Sequence, residues 1–306
     1  MLRSVILAAA RSPRVERLVE TAPVSRDVVR RFVAGTATAD ALRTTQGLVD
    51  DGLAVSIDHL GEDTLTPEQA EATRDEYLRL LAALAGAELT PAAEVSLKLS
   101  ALGQRFDEKL AYDHARAICV AASEAGTTVT LDMEDHGTTD STLEILGRLR
   151  VDFPTTGAVL QAQLRRSEGD CRELAAAGSR VRLCKGAYRE PETVAFQSRL
   201  DIDKSYVRCL NILMSGEGYP MLATHDPRLV AIGEDRAKWF DRSSDTFEFQ
   251  MLFGIRPKEQ VRLAEAGYTM RVYVPYGTEW YGYLMRRLAE RPANVAFFAR
   301  ALSSRS

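Results

Sequence analysis

Ionisable and amide side chains recur at the ends of short runs that are otherwise rich in Val, Leu and Ile. Seven runs end in this way, at Asp58 and His59, Lys98, Asp132 and Glu134, Gln161 and Gln163, Lys185, Thr224 and His225, and Tyr273. A single polar residue of this kind is typical of a surface or a helix cap. A series of seven indicates a functional site, because an ionisable group within an apolar run is costly unless it is paired or used.

A second group that could do chemistry lies near the end of the chain. The spacing i, i+3, i+4 and i+7 would place on one helical face Tyr283, Arg286, Arg287 and Glu290. The arginines offer planar, two-pronged donors for a carboxylate, and Lys98 would add a third positive charge around the same anion. An aromatic ring one turn away would cover the apolar part of a small ligand. The alternative is a solvated face with an i,i+4 pair between Arg286 and Glu290.

Eight apolar runs, separated by helical stretches, would position these side chains. The runs are 53–60, 93–100, 128–135, 157–164, 181–188, 219–226, 247–254 and 270–277, and each interval leaves room for one helix and two loops. Helix starts are predicted at Thr66-Pro67, with Gln69 completing a capping box, at Asp226-Pro227 and at Arg256-Pro257. Helix ends are predicted at Gly126, Gly178 and Gly267.

This alternation predicts an α/β fold, either a (βα)8 TIM-type barrel or a large doubly wound sheet. The chain has no G-x-G-x-x-G after a strand and no G-x-x-x-x-G-K-[ST], so neither common nucleotide signature of the open sheet is present. We therefore favour the barrel, whose active site lies at the C-terminal ends of the strands. Residues 1–48 are predicted to form an N-terminal helical segment, with Ser25 as an N-cap, and residues 49–306 the barrel.

Composition excludes several classes of protein. The 306 residues are 45% hydrophobic and 27% charged, with a formal net charge of -4, whereas disordered chains are less apolar and nucleic-acid binders are basic. The four cysteines lack C-x-x-C spacing, and the apolar run at 5–10 is shorter than the ~7–15 residues of a secretion signal. No run approaches the ~18 apolar residues of a membrane span. We expect a cytoplasmic enzyme with reduced thiols, whose amphipathic N-terminus alone suggests membrane contact.

Several motifs, in the same order along the chain, resemble proline dehydrogenase. They are S-L-K-L-S-A-L at 96–102, R-L-C-K-G-A-Y at 182–188, A-T-H-D at 223–226, F-E-F-Q-M-L-F-G at 247–254 and Y-L-M-R-R-L-A-E-R-P-A-N at 283–294. The resemblance is to the monofunctional bacterial form and runs from Val55 to Asn294. It implies a barrel that binds FAD, with the last helix over its mouth, and oxidation of L-proline to pyrroline-5-carboxylate as the first step of proline catabolism.

The resemblance also implies roles for individual residues. The proline carboxylate would be held by Lys98, Arg286 and Arg287, and the ring would be packed by Tyr273, Tyr283 and Leu183. Two residues are the catalytic candidates. Arg182 would lie near the flavin nitrogen that receives hydride, and Asp132 would sit behind the substrate and pair with Lys98.

A further set would contact the cofactor. Positions that match FAD contacts are Met133, Gln161, Lys185, Gly186, Ala187, Thr224 and His225. Gly186 and Ala187 are expected to let the backbone approach FAD closely. Glu62 matches a carboxylate that pairs with Arg286 as a gate, whereas Asp226 departs from the family because many relatives have Asn there. The implied electron acceptor is a membrane quinone reached by peripheral association with the inner face of the cell membrane, and we expect neither metal nor nucleic acid.

Three other interpretations compete with this one. A Schiff-base-forming barrel lyase would use Lys185 or Lys98 as its nucleophile. A metal-dependent hydrolase would use His59, Asp132 and His225, although no supporting carboxylate cluster accompanies them. A binding module without catalysis would explain the barrel but not the ionisable residues at so many strand ends.

Overall fold

The strands form a closed parallel barrel. The computed structural model of this protein describes residues 29–61 and 64–290, the last five of these through their backbone. The strands pair in chain order, and the last pairs with the first. Their bounds are β1 (Ala54–His59), β2 (Ala93–Leu97), β3 (Val129–Leu131), β4 (Gly157–Gln161), β5 (Arg180–Cys184), β6 (Tyr219–Ala223), β7 (Glu248–Leu252) and β8 (Thr269–Tyr276). Each overlaps one of the eight predicted runs, which confirms the (βα)8 barrel.

Helices connect consecutive strands. Helix α1 (Thr38–Asp50) precedes β1, and the others follow the strands in turn: α2 (Pro67–Gly86), α3 (Glu108–Glu124), α4 (Thr139–Asp152), α5 (Ser167–Ala176), α6 (Arg199–Ser215), α7 (Pro227–Trp239), α8 (Pro257–Glu265) and α9 (Trp280–Glu290). Short 3-10 helices, Leu99–Leu102 and His136–Thr138, follow β2 and β3. Helix α1 packs on β1 and β8 and includes residue 48. The predicted boundary between an N-terminal segment, 1–48, and the barrel, 49–306, stays a prediction.

The predicted helix starts are confirmed, with one change in detail. Thr66 accepts a hydrogen bond from the N–H of Gln69 at 3.4 Å, and Asp226 caps α7. The side chain of Gln69 does not reach back to Thr66, because it accepts from the N–H of Leu65 at 2.8 Å. The predicted N-cap Ser25 lies outside the described residues.

The predicted helix ends are also confirmed. Gly126, Gly178 and Gly267 follow α3, α5 and α8 with φ angles of 70°, 63° and 84°. This left-handed conformation terminates a helix and is open to glycine without strain. Each of these turns leads the chain directly into the next strand. Because neighbouring strands are parallel, their C-terminal ends lie on one side of the barrel.

Because side chains alternate along each strand, the fold has two buried layers, one between the barrel and the helices and one inside the barrel. Residues on the outward face pack against the helices and form the apolar core, including Val55, Leu97, Leu160, Leu183, Leu222, Phe249 and Val272. The inward residues are mostly polar and meet each other across the barrel, among them Ser56, Glu94, Ser96, Arg182, Glu248, Gln250 and Arg271. Neighbouring residues of a strand point to opposite faces, so each strand contributes to both.

Candidate active site

Five inward side chains meet at the barrel mouth, the end at which the strands terminate. This mouth cluster comprises Asp58, Lys98, Asp132, Arg182 and Tyr273. Three of them lie within β1, β5 and β8, and Lys98 and Asp132 directly follow β2 and β3. Parallel strands in one barrel bring such residues together although they lie far apart in sequence. The predicted convergence of polar strand ends is therefore confirmed for Asp58, Lys98, Asp132 and Tyr273, and Arg182, which only the family resemblance had pointed to, joins them.

Lys98 is held chiefly by Asp58. Its Nζ lies 2.8 Å from both carboxylate oxygens of Asp58 and 3.9 Å from Oδ2 of Asp132. The ion pair between Lys98 and Asp132 that the resemblance implies is present, but Asp58 is the nearer partner of Lys98. The reason is that Asp132 already accepts two short hydrogen bonds from other residues, whereas both oxygens of Asp58 face the ammonium.

Asp132 connects Arg182 to Tyr273. Its Oδ1 accepts from Arg182 at 2.6 Å, and its Oδ2 accepts from the hydroxyl of Tyr273 at 2.6 Å. The guanidinium carbon of Arg182 also lies 5.3 Å from the centroid of the Tyr273 ring, within the range of a cation–π interaction. Asp132 therefore fixes the positions of the cation and the phenol relative to one another.

Burial sets the protonation of this cluster. It raises the pKa of Tyr273 well above its usual value, and the charges of Asp132 and Asp58 raise that pKa further. Tyr273 consequently stays protonated and donates a hydrogen bond to Asp132. Burial also raises the pKa of Asp58, against the opposing charge of Lys98, which lowers it. The mouth thus combines a protonated phenol with ion-paired cations in a site of low solvent access.

A second charged group lies deeper in the barrel. This lower ion cluster consists of Glu94, Arg180, Glu248 and Arg271. Glu94 lies 2.8 Å from Arg180 and 3.7 Å from Arg271, and Arg271 lies 2.8 Å from Glu248. Sequence analysis missed this cluster. For Glu94, Arg180 and Arg271 the available signal was a charged residue two or four positions before a mouth residue on the same strand, which places it on the same face about 7–14 Å deeper. Glu248, on β7, gave no such signal.

At the end of β5, Leu183 departs from its predicted role, and Gly186 has a second reason to be glycine. Leu183 does not face the mouth: it is buried in the outer core, because Arg182 takes the inward position and neighbours alternate. The inward leucine is Leu252 on β7, which pairs in register with Tyr273. Gly186 has φ 104°, and a Cβ there would lie 2.3 Å from the side chain of Gln163. The positive φ angle and this protein contact both favour glycine here, and the predicted approach of its backbone to FAD stays a prediction.

The other cofactor candidates line the ends of β3 to β6. Gln161 donates to the carbonyl of Glu134 at 2.6 Å, and the hydroxyl of Thr224 accepts from the N–H of Asp226 at 3.1 Å. His225 accepts through Nε2 from the N–H of Leu252 at 2.9 Å. Met133 is buried, and Ala187 is exposed. These side chains form an arc beside the mouth cluster.

Lys185 belongs to a compact set of charges on this arc. Its Nζ lies 2.5 Å from Asp203 and 2.9 Å from Asp226, and Arg228 contacts the same two carboxylates at 2.8 and 2.6 Å. Asp226, which departs from the family pattern, is thus one of the two acids that hold Lys185. Sequence analysis gave no role to Asp203, which is 18 residues from Lys185 on a different element.

The last helix carries the remaining candidates. Helix α9 confirms the helical spacing of Tyr283, Arg286 and Arg287, and Tyr283 is buried. The side chains of Arg286 and Arg287 and the whole of Glu62 lie outside the described residues. Within residues 29–61 and 64–290 we find no group of three or more His, Cys, Asp or Glu arranged to hold a metal ion. None of the helices in those ranges is both long and apolar enough to cross a membrane.

Comparison with known proteins identifies the family. The family model for proline dehydrogenase matches residues 41–300. Proline dehydrogenase 1 of Bacillus subtilis is 38% identical over 302 residues, 99% of either chain, and proline dehydrogenase of Deinococcus radiodurans is 39% identical over 311 residues, 99% of this chain and 98% of its own. A crystal structure of proline utilization A (PutA) from Bdellovibrio bacteriovorus, inactivated by N-propargylglycine, superposes with a TM-score of 0.81 at 26% identity, covering 91% of this chain and 34% of that one. The chain therefore belongs to the proline dehydrogenase family.

Proposed function

We propose that this protein oxidises L-proline to pyrroline-5-carboxylate, the first step of proline catabolism, with FAD as its cofactor. The observation that carries the proposal is the mouth cluster, in which Lys98 and Arg182 place two positive charges beside Tyr273. An amino acid with a small apolar ring needs this combination of cation and aromatic surface. The names of the relatives support the same substrate.

The residues along the arc fit a flavin dinucleotide in their chemistry. FAD is anionic and rich in hydrogen-bond acceptors. The arc offers the ammonium of Lys185, with the amide of Gln163 beside it, and the adjoining mouth cluster offers the guanidinium of Arg182. The side chain of Lys185 is one-third exposed and so remains accessible to a ligand. When bound, FAD supplies the acceptor for the hydride. Met133, Gln161, Gly186, Ala187, Thr224 and His225 stay proposed contacts.

The protein's own contribution is orientation and charge. In the proposal, Lys98 binds the substrate carboxylate together with Arg286 and Arg287, and fixing that end of proline orients its ring. Tyr273, Tyr283 and Leu252 flank the ring and exclude water. Arg182 keeps a fixed positive charge where negative charge develops, because its hydrogen bonds are already made before the reaction.

Further parts of the proposal concern access and partners. Glu62 pairs with Arg286 as a gate over the site, and the electrons pass to a quinone. The protein works in the cytoplasm with peripheral attachment to the inner face of the cell membrane. A Schiff-base lyase is less well supported, because Lys98 and Lys185 each face two carboxylates, which stabilise an ammonium that is not nucleophilic.

An absorption spectrum of the purified protein tests the proposal. We expect flavin bands that bleach when L-proline is added without oxygen, and no bleaching with glycine, which has the carboxylate but no ring. Arg286→Met and Arg287→Met should raise the KM for proline and leave the flavin spectrum intact. A colourless protein that stays inert after reconstitution with FAD would overturn the proposal, and trapping of a substrate adduct by borohydride would favour the lyase.

A further inference from the structure

The lower ion cluster is unusual for the inside of a barrel. Barrel interiors are ordinarily filled by layers of branched apolar side chains. Here Glu94 and Glu248 are almost fully buried, with 1% and 0% of their surface exposed, and both contact Arg271. Buried ion pairs are on average no more stabilising than apolar residues of the same size. Stability alone therefore does not account for this cluster.

Gln250 joins the lower ion cluster to Arg182 by hydrogen bonds, whereas the direct ion pair between Arg182 and Glu94 is longer, at 3.8 Å. Its Oε1 accepts from Nε of Arg182 at 2.5 Å, and its Nε2 donates to Oε1 of Glu248. The residue is 3% exposed. An ionised carboxylate only accepts hydrogen bonds, so Glu248 requires the NH2 group of the amide on its side. The amide oxygen must then face Arg182.

Arg182 is held on all sides by such contacts. One terminal nitrogen donates to Asp132 at 2.6 Å and to Ser96 at 2.8 Å, and the other donates to Ser56 at 3.1 Å. Gln250 is the hydrogen-bond acceptor for Nε among the described residues. A guanidinium is planar, so a partner at Nε and partners at the far end together fix its plane.

We infer that Gln250 is a positioning residue for Arg182, with Glu248 setting the orientation of its amide. This inference rests on the proposed function, in which Arg182 supplies the positive charge beside the flavin. Gln250 contacts Arg182 from below, on the side of the lower ion cluster, and acts through it. The lower ion cluster thereby fixes the direction in which the mouth cation points.

Gln250→Met tests the inference, because it keeps the length of the side chain and removes its acceptor. We expect the rate of flavin reduction at saturating proline to fall about tenfold, since the charge is misplaced at the reacting centre. The KM for proline should change less than about twofold, because the carboxylate is bound elsewhere. The midpoint potential of the bound flavin, measured without substrate, should shift to a more negative value.

Tyr219→Phe is the matched control. The hydroxyl of Tyr219 donates to Oε2 of Glu248 at 3.3 Å, the oxygen that does not face Gln250. The variant removes a hydrogen bond from the same carboxylate and leaves the path from Glu248 to Arg182 in place. Its rate and flavin potential should equal those of the wild type.

Glu248→Asp is a second variant for the case in which Gln250→Met does not fold. It keeps the charge that Arg271 needs and withdraws the carboxylate from Gln250, so we expect a smaller loss in rate, about threefold, again with KM preserved. Unchanged rate and potential in both variants, or equal losses in Tyr219→Phe, would overturn the inference. If proline did not bleach the bound flavin of the wild type, the proposed function would be overturned instead. The midpoint potentials of the flavin in the wild type and the variants, measured without substrate, would still test the link from Gln250 to Arg182.

Discussion

The barrel contains two clusters built from the same kinds of side chain but in different surroundings. The mouth cluster and the lower ion cluster each place two acids and two bases on inward positions of the strands. In the lower cluster the two acids, Glu94 and Glu248, are completely enclosed, whereas the side chain of Arg180 keeps 16% of its surface exposed. At the mouth the side chains of Lys98 and Asp132 keep 11% and 12% of their surface exposed.

This difference indicates that the enclosure of the acids, and not composition, separates a structural ion cluster from a binding site. Each acid of the lower cluster is contacted by at least one guanidinium inside the barrel, so a further anion would find no unoccupied cation there. At the mouth, Lys98 faces the open end and α9 follows β8 directly, carrying two more arginines. The proposed substrate, which brings one carboxylate, fits that excess of positive charge.

Removing an acid from the closed cluster should give the largest effect, and it should be an effect on stability. Burial raises the pKa of Glu94, but the guanidinium charges, that of Arg180 first, outweigh burial and lower the pKa to about 2. Glu94→Gln leaves those cations uncompensated, so we expect the free energy of unfolding at pH 7 to fall by about 3 kcal/mol. Urea denaturation measures the change. Asp113→Asn, in an exposed pair with Lys109, should leave the free energy of unfolding nearly unchanged.

The same comparison has a defined pH dependence. The pKa of Glu94 is lower in the folded protein than the ordinary 4.5, so its stabilisation is complete above 4.5 and is lost as the pH falls towards about 2. The gap in stability between wild type and Glu94→Gln should therefore be constant near neutral pH and narrow in acid. A gap that widens in acid would show that Glu94 is not the group responsible.

The lower ion cluster also shows where sequence reasoning stopped. The eight strands, the helix caps and the side of the barrel that carries the site follow from local patterns, because alternation and capping are properties of neighbouring residues. The partner of Glu94 is Arg180, 86 residues away, and only the closure of the barrel brings them together. A single strand shows that a charge faces inward but not which charge lies opposite.

At the mouth, the largest expected effect is on substrate binding. Lys98→Met removes the cation that we propose for the proline carboxylate, and we expect kcat/KM to fall about a hundredfold, the worth of one hydrogen bond between charged groups. Steady-state kinetics with an artificial electron acceptor measure this change. Lys109→Met, on the exposed surface, should leave kcat/KM at the wild-type value. An unchanged KM in Lys98→Met would remove Lys98 from the substrate site.

A smaller loss is expected when Lys98 is kept and its support is removed. Both carboxylate oxygens of Asp58 lie 2.8 Å from Nζ of Lys98. Asp58→Asn therefore keeps the cation but fixes its position less well. We expect KM to rise about tenfold, less than for Lys98→Met. Because burial raises the pKa of Asp58, acid should protonate it and raise the KM of the wild type, a dependence that the variant would lack. Equal losses in the two variants would show that Asp58 acts on more than Lys98.

The predictions of site residues succeeded where residue identity was sufficient and failed where the face of the strand mattered. Residue identity at a strand end predicted Asp58, Lys98, Asp132 and Tyr273, the family resemblance added Arg182, and all five lie together at the mouth. Leu183 was placed wrongly because a motif lists adjacent residues without stating which face of the strand each one takes. Counting alternately from Arg182 would have moved Leu183 to the outer core and left the inward position to another strand.

The smallest effect should come from Tyr273→Phe, which keeps the ring and removes one hydrogen bond. The hydroxyl donates to Asp132 at 2.6 Å and the ring lies over Arg182, so the variant preserves the packing and loosens Asp132. We expect kcat/KM for proline to fall about threefold, the worth of a typical hydrogen bond. In the wild type the bulky phenol should also favour proline over hydroxyproline, whose ring hydroxyl it would crowd. Equal kcat/KM for the two substrates would contradict that role. A loss of kcat/KM in Tyr273→Phe as large as in Lys98→Met would mean that the phenol, and not only the cations, distinguishes the mouth cluster from the lower ion cluster.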